Sequence, residues 1–396
     1  MSTKKTMIIT GGHLSPAIAV IEELLKDQAW DIHFVGRKFT FSEKKESLSY
    51  EYETITHRGI AFHPISAARF PHRFSFSALW FCVYFLYSLF RSLLLLYRLN
   101  PCLILSFGGY VGAPVVAAGI FARTRVLLHD QAVIPGRANR ILGFGAAAIA
   151  VSWDESVVHF SPRLRKRIVV TGNPIRKALY LQSRPHDQTV KGILETNQEK
   201  GLLFVTGGST GAHAVNKLIE QSLPQLLSHY RIIHQCGDSQ FHDYERLSAL
   251  RESLSPKQKQ DYLPIKFVTQ DDSAVLLQQA AIIISRAGAN TVCELAVLGK
   301  RAVLIPLPYA PFDEQKKNAE KLARWGAGVI LNQQTATPAL LINTIVELSK
   351  HQQSYEHRAK AYSISPEITR HRHAASTLVG LIRSYTAYCK GERYHY

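Results

Sequence analysis

The chain has 396 residues, 46% hydrophobic and 19% charged, with 47 Lys+Arg against 30 Asp+Glu for a formal charge of +17. The composition is that of a globular protein, and the length exceeds one ordinary core, which predicts two domains. The positive balance favours anionic partners, but no lysine-arginine block with interleaved aromatics and no nucleic-acid module signature appears, which argues against nucleic acid and leaves acidic lipid headgroups or phosphorylated substrates.

The chain begins MSTKKTMIITGG, an apolar run too short for a signal peptide, which leads straight into a strand and turn; a cytoplasmic location is expected. Cys82, Cys102, Cys236, Cys293 and Cys389 are scattered, odd in number and without a CxxC pair, so a reducing compartment and no structural zinc are expected. Met7 to Thr10 reads as a first strand, Gly11 and Gly12 as a turn, and Ser15 to Asp27 as a helix with Ala17, Val20, Ile21, Leu24 and Leu25 at helical spacing. Asp31 to Val35 reads as the next strand. Arg37 to Glu53 is a polar, charged connection from which no function can be read.

Phe76 to Leu99 is almost unbroken in apolar and aromatic residues, interrupted by Arg91 and a few serines. A spanning helix needs ~20 such residues with few charges. Three readings stay open: a core helix of the first domain, a helix dipped into a membrane interface with Arg73, Arg91 and Arg98 toward anionic headgroups, and a true span. Strands follow at Cys102 to Ser106, Arg125 to His129, Ala146 to Ser152 and Ile168 to Thr171, separated by helices or loops. That alternation predicts a doubly wound parallel sheet.

Gly172 to Arg176 (GNPIR) marks the end of the first domain. The chain then starts over, with strands at Leu202 to Thr206, Arg231 to His234, Ile265 to Val268, Ala280 to Ile284 and Ala302 to Pro306. Two αβ halves are expected, 1–174 and 175–365, with a C-terminal helical segment, 366–396, completing the first. A helix over Ala374 to Tyr385 and a basic, aromatic tail close the chain. The cleft between two such halves is the default place to look for a site.

Three double-glycine turns follow predicted strands: Thr10-Gly11-Gly12-His13, Phe107-Gly108-Gly109-Tyr110 and Thr206-Gly207-Gly208-Ser209. Each alone is satisfied by a plain tight turn. Together, in an αβ chain, they favour binding of a nucleotide diphosphate or a diphosphate lipid, because glycine admits close backbone approach and helix N-termini offer free amides. None is GxGxxG, which counts against a nicotinamide enzyme. His13 is either a helix-capping or core histidine or a base for an attacking hydroxyl. Glu294, one turn into a predicted helix that starts at about Asn290, is either favoured there by the helix dipole or accepts from a ribose. Arg176 is either a surface linker residue or a partner for a diphosphate. A loop carrying Asp313, Gln315 and Asn318 is expected at the same edge as Glu294. No metal-ligand cluster stands out, so metal-independent chemistry is expected.

The stretches TGGH, SFGGYVGAP, HDQAVIPGRANR, GNPIR, VTGGSTGAHAVN and SRAGANTVCELAVLGKRAVLIPLP with DEQKKNA resemble, in order and spacing from about Met7 to Ile342, the MurG family of bacterial N-acetylglucosaminyltransferases. The resemblance implies a GT-B fold, two Rossmann-like doubly wound parallel-sheet domains, with UDP-GlcNAc as donor substrate, no cofactor, and lipid I, the undecaprenyl-pyrophosphoryl-muramyl peptide, as acceptor. It implies His13 as the base on the C4 hydroxyl of the muramyl sugar, with inversion at the anomeric carbon to give lipid II. Donor contacts are implied at Thr10, Gly11, Gly12, Arg176, Gly208, Ser209, Ala289, Asn290, Thr291, Val292, Cys293, Glu294 and Gln315. Acceptor contacts are implied at Gly108, Gly109, Tyr110, His129 and Gln131. The anionic cytoplasmic face of the bacterial cell membrane and other cell-wall synthesis proteins are the implied partners. Two departures stand out: a first loop shortened to TGGH, and HDQA with Ala132 where the family has an asparagine, a donor contact that is either lost or supplied by a neighbour such as Gln131. A UDP-GlcNAc 2-epimerase of the same fold and a non-catalytic sugar-nucleotide-binding protein are the alternatives.

Overall fold

The computed structural model describes residues 4–39, 48–65, 76–181, 184–208, 210–238 and 240–387, with 76–81 described by backbone course alone. Ser209, Arg73, Cys389 and the end of the basic tail lie outside the described residues. The chain divides into unit 1, Met1–Ile175 with Arg370–Tyr396, and unit 2, Arg176–Thr369.

In unit 1, strands β1 (Lys5–Thr10), β2 (Trp30–Gly36), β3 (Ala61–Pro64), β4 (Leu103–Ser106), β5 (Arg125–Asp130), β6 (Ala148–Val151) and β7 (Ile168–Val170) form one sheet in the order β3-β2-β1-β4-β5-β6-β7. Every pairing is parallel. Its strands are apolar at successive positions because both faces are buried. Met7, Ile9, Leu103 and Leu105 face Ile18 and Ile21 of helix Leu14–Leu24, together with Leu378 and Ile382 of helix Pro366–Thr386. Ile8, Ile104, Val126 and Leu128 face Val111 and Val115 of helix Gly109–Phe121 and Leu96 of helix Phe76–Leu99. The C-terminal segment thus covers one face of a sheet begun hundreds of residues earlier.

Helix Phe76–Leu99 packs Leu96 and its partly buried neighbours Leu89, Leu93 and Leu99 on the core, yet a second apolar face points outward. Its serines Ser88 and Ser92 are buried, which lets it approach helix Gly109–Phe121 closely, while Val83, Leu86, Tyr87, Phe90, Leu94 and Tyr97 are exposed at helical spacing. Ser92 donates to the Ser88 carbonyl at 2.7 Å, so the buried hydroxyl is satisfied inside the helix. The helix is long and apolar enough to cross a membrane by length and composition, and only 17% of its Cys82–Leu99 window is buried. That is too little for the core-helix reading.

In unit 2, β8 (Gly201–Thr206), β9 (Tyr230–Gln235), β10 (Tyr262–Ile265), β11 (Ile282–Ser285), β12 (Ala302–Leu304) and β13 (Gly328–Ile330) form a parallel sheet in the order β10-β9-β8-β11-β12-β13. Leu203, Val205, Ile282 and Ile284 pack with Ile219 and Leu223 of helix His213–His229 and Leu341 and Ile345 of helix Pro338–Lys350.

Two sheet edges differ from expectation. The strand expected at Ile265 to Val268 ends at Ile265, where its pairing partner β9 ends at Gln235; Lys266 to Thr269 then lead out to helix Gln270–Gln279, which Thr269 caps. The edge strands β3 and β13 are short and incompletely buried, so neither carries the apolar run that betrays an interior strand. Gln315 and Asn318 lie on helix Glu314–Arg324 rather than in a loop, with Asp313 at its start.

Candidate functional site

In each sheet the strand order reverses once, between β1 and β4 in unit 1 and between β8 and β11 in unit 2. Ligands of open parallel sheets bind beyond the strand C-termini at such a point. The three glycine turns follow β1, β4 and β8.

In unit 1 the first two turns pack against each other. Gly12 has φ +122°, and a Cβ there would lie 2.7 Å from the Gly108 carbonyl oxygen; Gly108 and Gly109 are also left-handed, at φ +79° and +77°. No other residue type fits this approach without strain. Beneath them Thr10 Oγ1 donates to Ser106 Oγ at 2.9 Å in the buried interior. His13, at the N-cap position of helix Leu14–Leu24, makes no side-chain cap. Its Nδ1 lies 3.0 Å from the Phe107 carbonyl oxygen, which can only accept. Nδ1 therefore carries the proton, and Nε2 presents its lone pair. Burial pushes the His13 pKa below the ordinary histidine value, against an upward pull from the Phe107 bond. Tyr110 Oη accepts from Arg37 Nη1 at 3.1 Å.

His129 and Gln131 are buried, and their polar atoms are used inside unit 1. His129 Nε2 donates to the Gly172 carbonyl at 2.9 Å, and Gln131 Nε2 donates to His129 Nδ1 at 3.0 Å. The Gln131 amide is therefore bonded to His129 within unit 1. Burial holds the His129 pKa at about 4, so it is neutral at physiological pH. Asp130 organises the turn that follows: its carboxylate accepts from the amides of Ala132 (3.2 Å) and Gly136 (3.0 Å) and from Asn139 Nδ2 (2.8 Å). Burial raises its pKa to about 6, with these bonds and Arg140 opposing.

In unit 2, Gly208 (φ +81°) donates its amide to Thr206 Oγ1 at 3.1 Å, and Thr206 Oγ1 donates to Gln235 Oε1 at 2.9 Å. Helix Ala289–Leu298 begins after Gly288 with no side-chain cap. Its first turn is therefore a place for an anion. Asn290 and Thr291 are half-buried there, whereas the side chains of Val292 and Cys293 are buried at 1% and 0% exposure. Helical periodicity turns those two toward the core, so any contact they make with a donor is limited to backbone.

Glu294 and Arg176, expected on separate parts of a nucleotide, meet each other. Arg176 Nη2 donates to Glu294 Oε1 at 3.0 Å with both groups buried, and Nη1 donates to the Gln270 carbonyl at 2.8 Å. Gln315 Oε1 accepts from the Leu307 amide at 2.9 Å, tying its helix to the loop after β12. Asn318 is buried and donates to the Ala287 carbonyl at 3.2 Å, bracing the turn ahead of Ala289.

Two groups at these edges escaped the sequence reading. Arg286, directly after β11, donates to the Ile305 carbonyl at 3.0 Å; burial lowers its pKa to about 10, which leaves it cationic at neutral pH. Glu51 reaches the first glycine turn from the connection that gave no reading. Neither position shows a local pattern: one is a lone arginine inside a glycine turn, the other a glutamate in a charged segment.

Two parallel αβ units of this kind, each with a glycine turn at its switch point, are the two halves of a GT-B fold. Residues 7–151 match the glycosyltransferase family 28 N-terminal domain, and residues 202–377 match the glycosyltransferase family 28 C-terminal domain. Among curated relatives, the UDP-N-acetylglucosamine–N-acetylmuramyl-(pentapeptide) pyrophosphoryl-undecaprenol N-acetylglucosamine transferase of Syntrophotalea carbinolica is 32% identical over 86% of this chain and 87% of its own. The protein of the same name from Trichlorobacter lovleyi is 34% identical over 82% and 84%. Among solved structures, MurG of Acinetobacter baumannii aligns over 96% of this chain and 100% of its own, with a TM-score of 0.62 and 25% identity. A putative UDP-N-acetylglucosamine 2-epimerase from Listeria monocytogenes aligns over 98% of each chain with a TM-score of 0.68 but 12% identity, a likeness of fold alone. The chain belongs to the MurG family of glycosyltransferases.

Proposed function

We propose that the chain transfers N-acetylglucosamine from UDP-GlcNAc to the C4 hydroxyl of the muramyl sugar of lipid I, forming lipid II, with inversion and without a metal ion. The donor and the lipid-linked acceptor are those in the names of its relatives. The observation that carries the chemistry is His13, whose Nδ1 bond to the Phe107 carbonyl leaves Nε2 as the free base. Nε2 takes the hydroxyl proton as the oxygen attacks the anomeric carbon, the bond from that carbon to the diphosphate oxygen breaks, and UDP leaves with the electron pair.

Unit 2 is the donor half in this reading. The uncapped first turn of helix Ala289–Leu298 and the cationic Arg286 offer positive charge to the departing diphosphate, which is how the reaction proceeds without a metal. Glu294, oriented by Arg176, accepts from the ribose; Gly208, Ser209 and Gln315 serve the diphosphate and sugar. Unit 1 is the acceptor half, with the Gly108–Tyr110 turn facing the acceptor and His129 and Gln131 shaping the chain behind it. Incubation with UDP-GlcNAc and a lipid I analogue tests the reading. UDP release that requires the acceptor is expected; formation of UDP-ManNAc, or binding without turnover, would sink it.

The same reading places the protein at the cytoplasmic face of the cell membrane, docked by the exposed apolar stripe of helix Phe76–Leu99. Arg91, which is exposed and donates to Tyr87 Oη at 3.2 Å, supplies charge for anionic headgroups on that stripe. Salt-sensitive binding to anionic vesicles is expected, and Phe90→Glu should weaken it roughly tenfold, in line with the burial of about one large apolar side chain. Release from cell membranes by detergent alone, never by salt, would instead indicate a spanning helix.

A further inference from the structure

The segment after β2 delivers one half-buried carboxylate to the turn that carries His13. Ser49 caps helix Tyr50–Thr56 by accepting the Tyr52 amide at 3.1 Å, and its hydroxyl donates to the Arg37 carbonyl. This double hold sets Glu51 in the first turn of that helix. Glu51 Oε1 accepts from the Gly12 amide at 3.2 Å, and Oε2 accepts from the Arg37 amide at 2.9 Å. Room for the carboxylate comes from two glycines at the ends of adjacent strands. A Cβ at Gly11 would lie 2.6 Å from Glu51 Cδ, and one at Gly36 would lie 2.9 Å from it. The cradle thus fits a side chain reaching in from outside both strands.

Besides Glu51, the Gly11–Gly12 turn is held by its packing on the Gly108–Gly109 turn and by the His13 bond to the Phe107 carbonyl. Gly11 donates its amide to the Val35 carbonyl at 2.7 Å, Gly12 has no side chain and a left-handed φ, and His13 caps nothing. We propose that Glu51 is a positioning residue for the transfer step: its carboxylate, bridging the amides of Gly12 and Arg37, sets the path of the turn and thereby where the His13 ring stands. The inference rests on the assignment of His13 as base. It also gives the short turn a built-in anion, so the Gly12 amide is engaged by the protein itself and is not offered to a substrate phosphate.

The test is a double-mutant cycle in the full chain, with UDP release from UDP-GlcNAc and a lipid I analogue as the readout. Glu51→Gln keeps the shape but turns an NH2 group toward one of the two amides, which it cannot accept from. A displacement of about 1 Å at a reacting group costs on the order of a hundredfold, so kcat is expected to fall roughly 10- to 100-fold. The donor KM should stay within about twofold, because the lost interaction concerns the reacting geometry and not donor binding. Glu51→Gln in a His13→Ala background should cost almost nothing further, since the base it positions is already gone. Wild-type kcat in Glu51→Gln, or losses that multiply in the double variant, overturns the proposal. Should Glu51→Gln fail to fold, Glu51→Asp, one methylene short of bridging both amides, is expected to show the same loss, and wild-type kcat there overturns it equally. Full turnover in His13→Ala removes the base assignment together with this inference. A crippled His13→Ala beside a fully active Glu51→Gln removes this inference alone.

Discussion

His13→Ala is expected to lower kcat by about 10²- to 10⁴-fold, the range for loss of a general base, with the KM for UDP-GlcNAc changed by less than about twofold. The argument is geometric before it is electrostatic. The Phe107 carbonyl fixes the tautomer, so the ring does not spend half its time with a proton on the nitrogen that must receive one. Burial then lowers the pKa. For a base that acts neutral, a lowered pKa keeps it competent into mildly acidic solution and lost only as pH falls through the lowered value. The acid limb of the kcat/KM profile should therefore inflect below the ordinary histidine value of about 6.5. An inflection at or above that value, or full turnover in the alanine variant, would show that another group takes the proton.

The second large effect is on stability. Arg176 and Glu294 form an ion pair with both side chains under a tenth exposed. Removing one partner takes away the other's buried counter-charge, a loss of roughly 3–5 kcal/mol, whereas replacing both by apolar residues of similar volume costs much less. Arg176→Ala and Glu294→Ala should each weaken amide-exchange protection in β8 and β11 by an amount of that order, and Arg176→Met with Glu294→Leu by far less. Unchanged protection in the single variants would mean that water reaches the pair. All three should raise the donor KM. The double variant separates the two roles, because it restores packing without restoring a carboxylate for the ribose.

That pair marks where a linear reading stops. These residues, 118 positions apart, read as independent contacts to ribose and diphosphate, since nothing in GNPIR or in ANTVCE indicates that one side chain neutralises the other. Val292 and Cys293 show the same limit at short range. Their turn was legible from strand, glycine and helix signals, but which side chains of the turn face outward depends on where the neighbouring helices pack. Gln131 is a third case: nothing in HDQA indicates that its amide bonds to His129 two residues earlier.

The sequence by itself determined the two αβ halves, the interior strands, the three glycine turns and the family, because buried parallel strands need unbroken apolar runs and left-handed turns need glycine, and both are written locally. Only the tertiary structure decided the tautomer of His13, the partnership of Arg176 with Glu294, the outward face of helix Phe76–Leu99 and the arrival of Glu51 at Gly12. Each of these depends on atoms far apart in the chain meeting at a sheet edge or across a packed face. A hydrogen bond or an ion pair between them leaves no periodicity in the sequence.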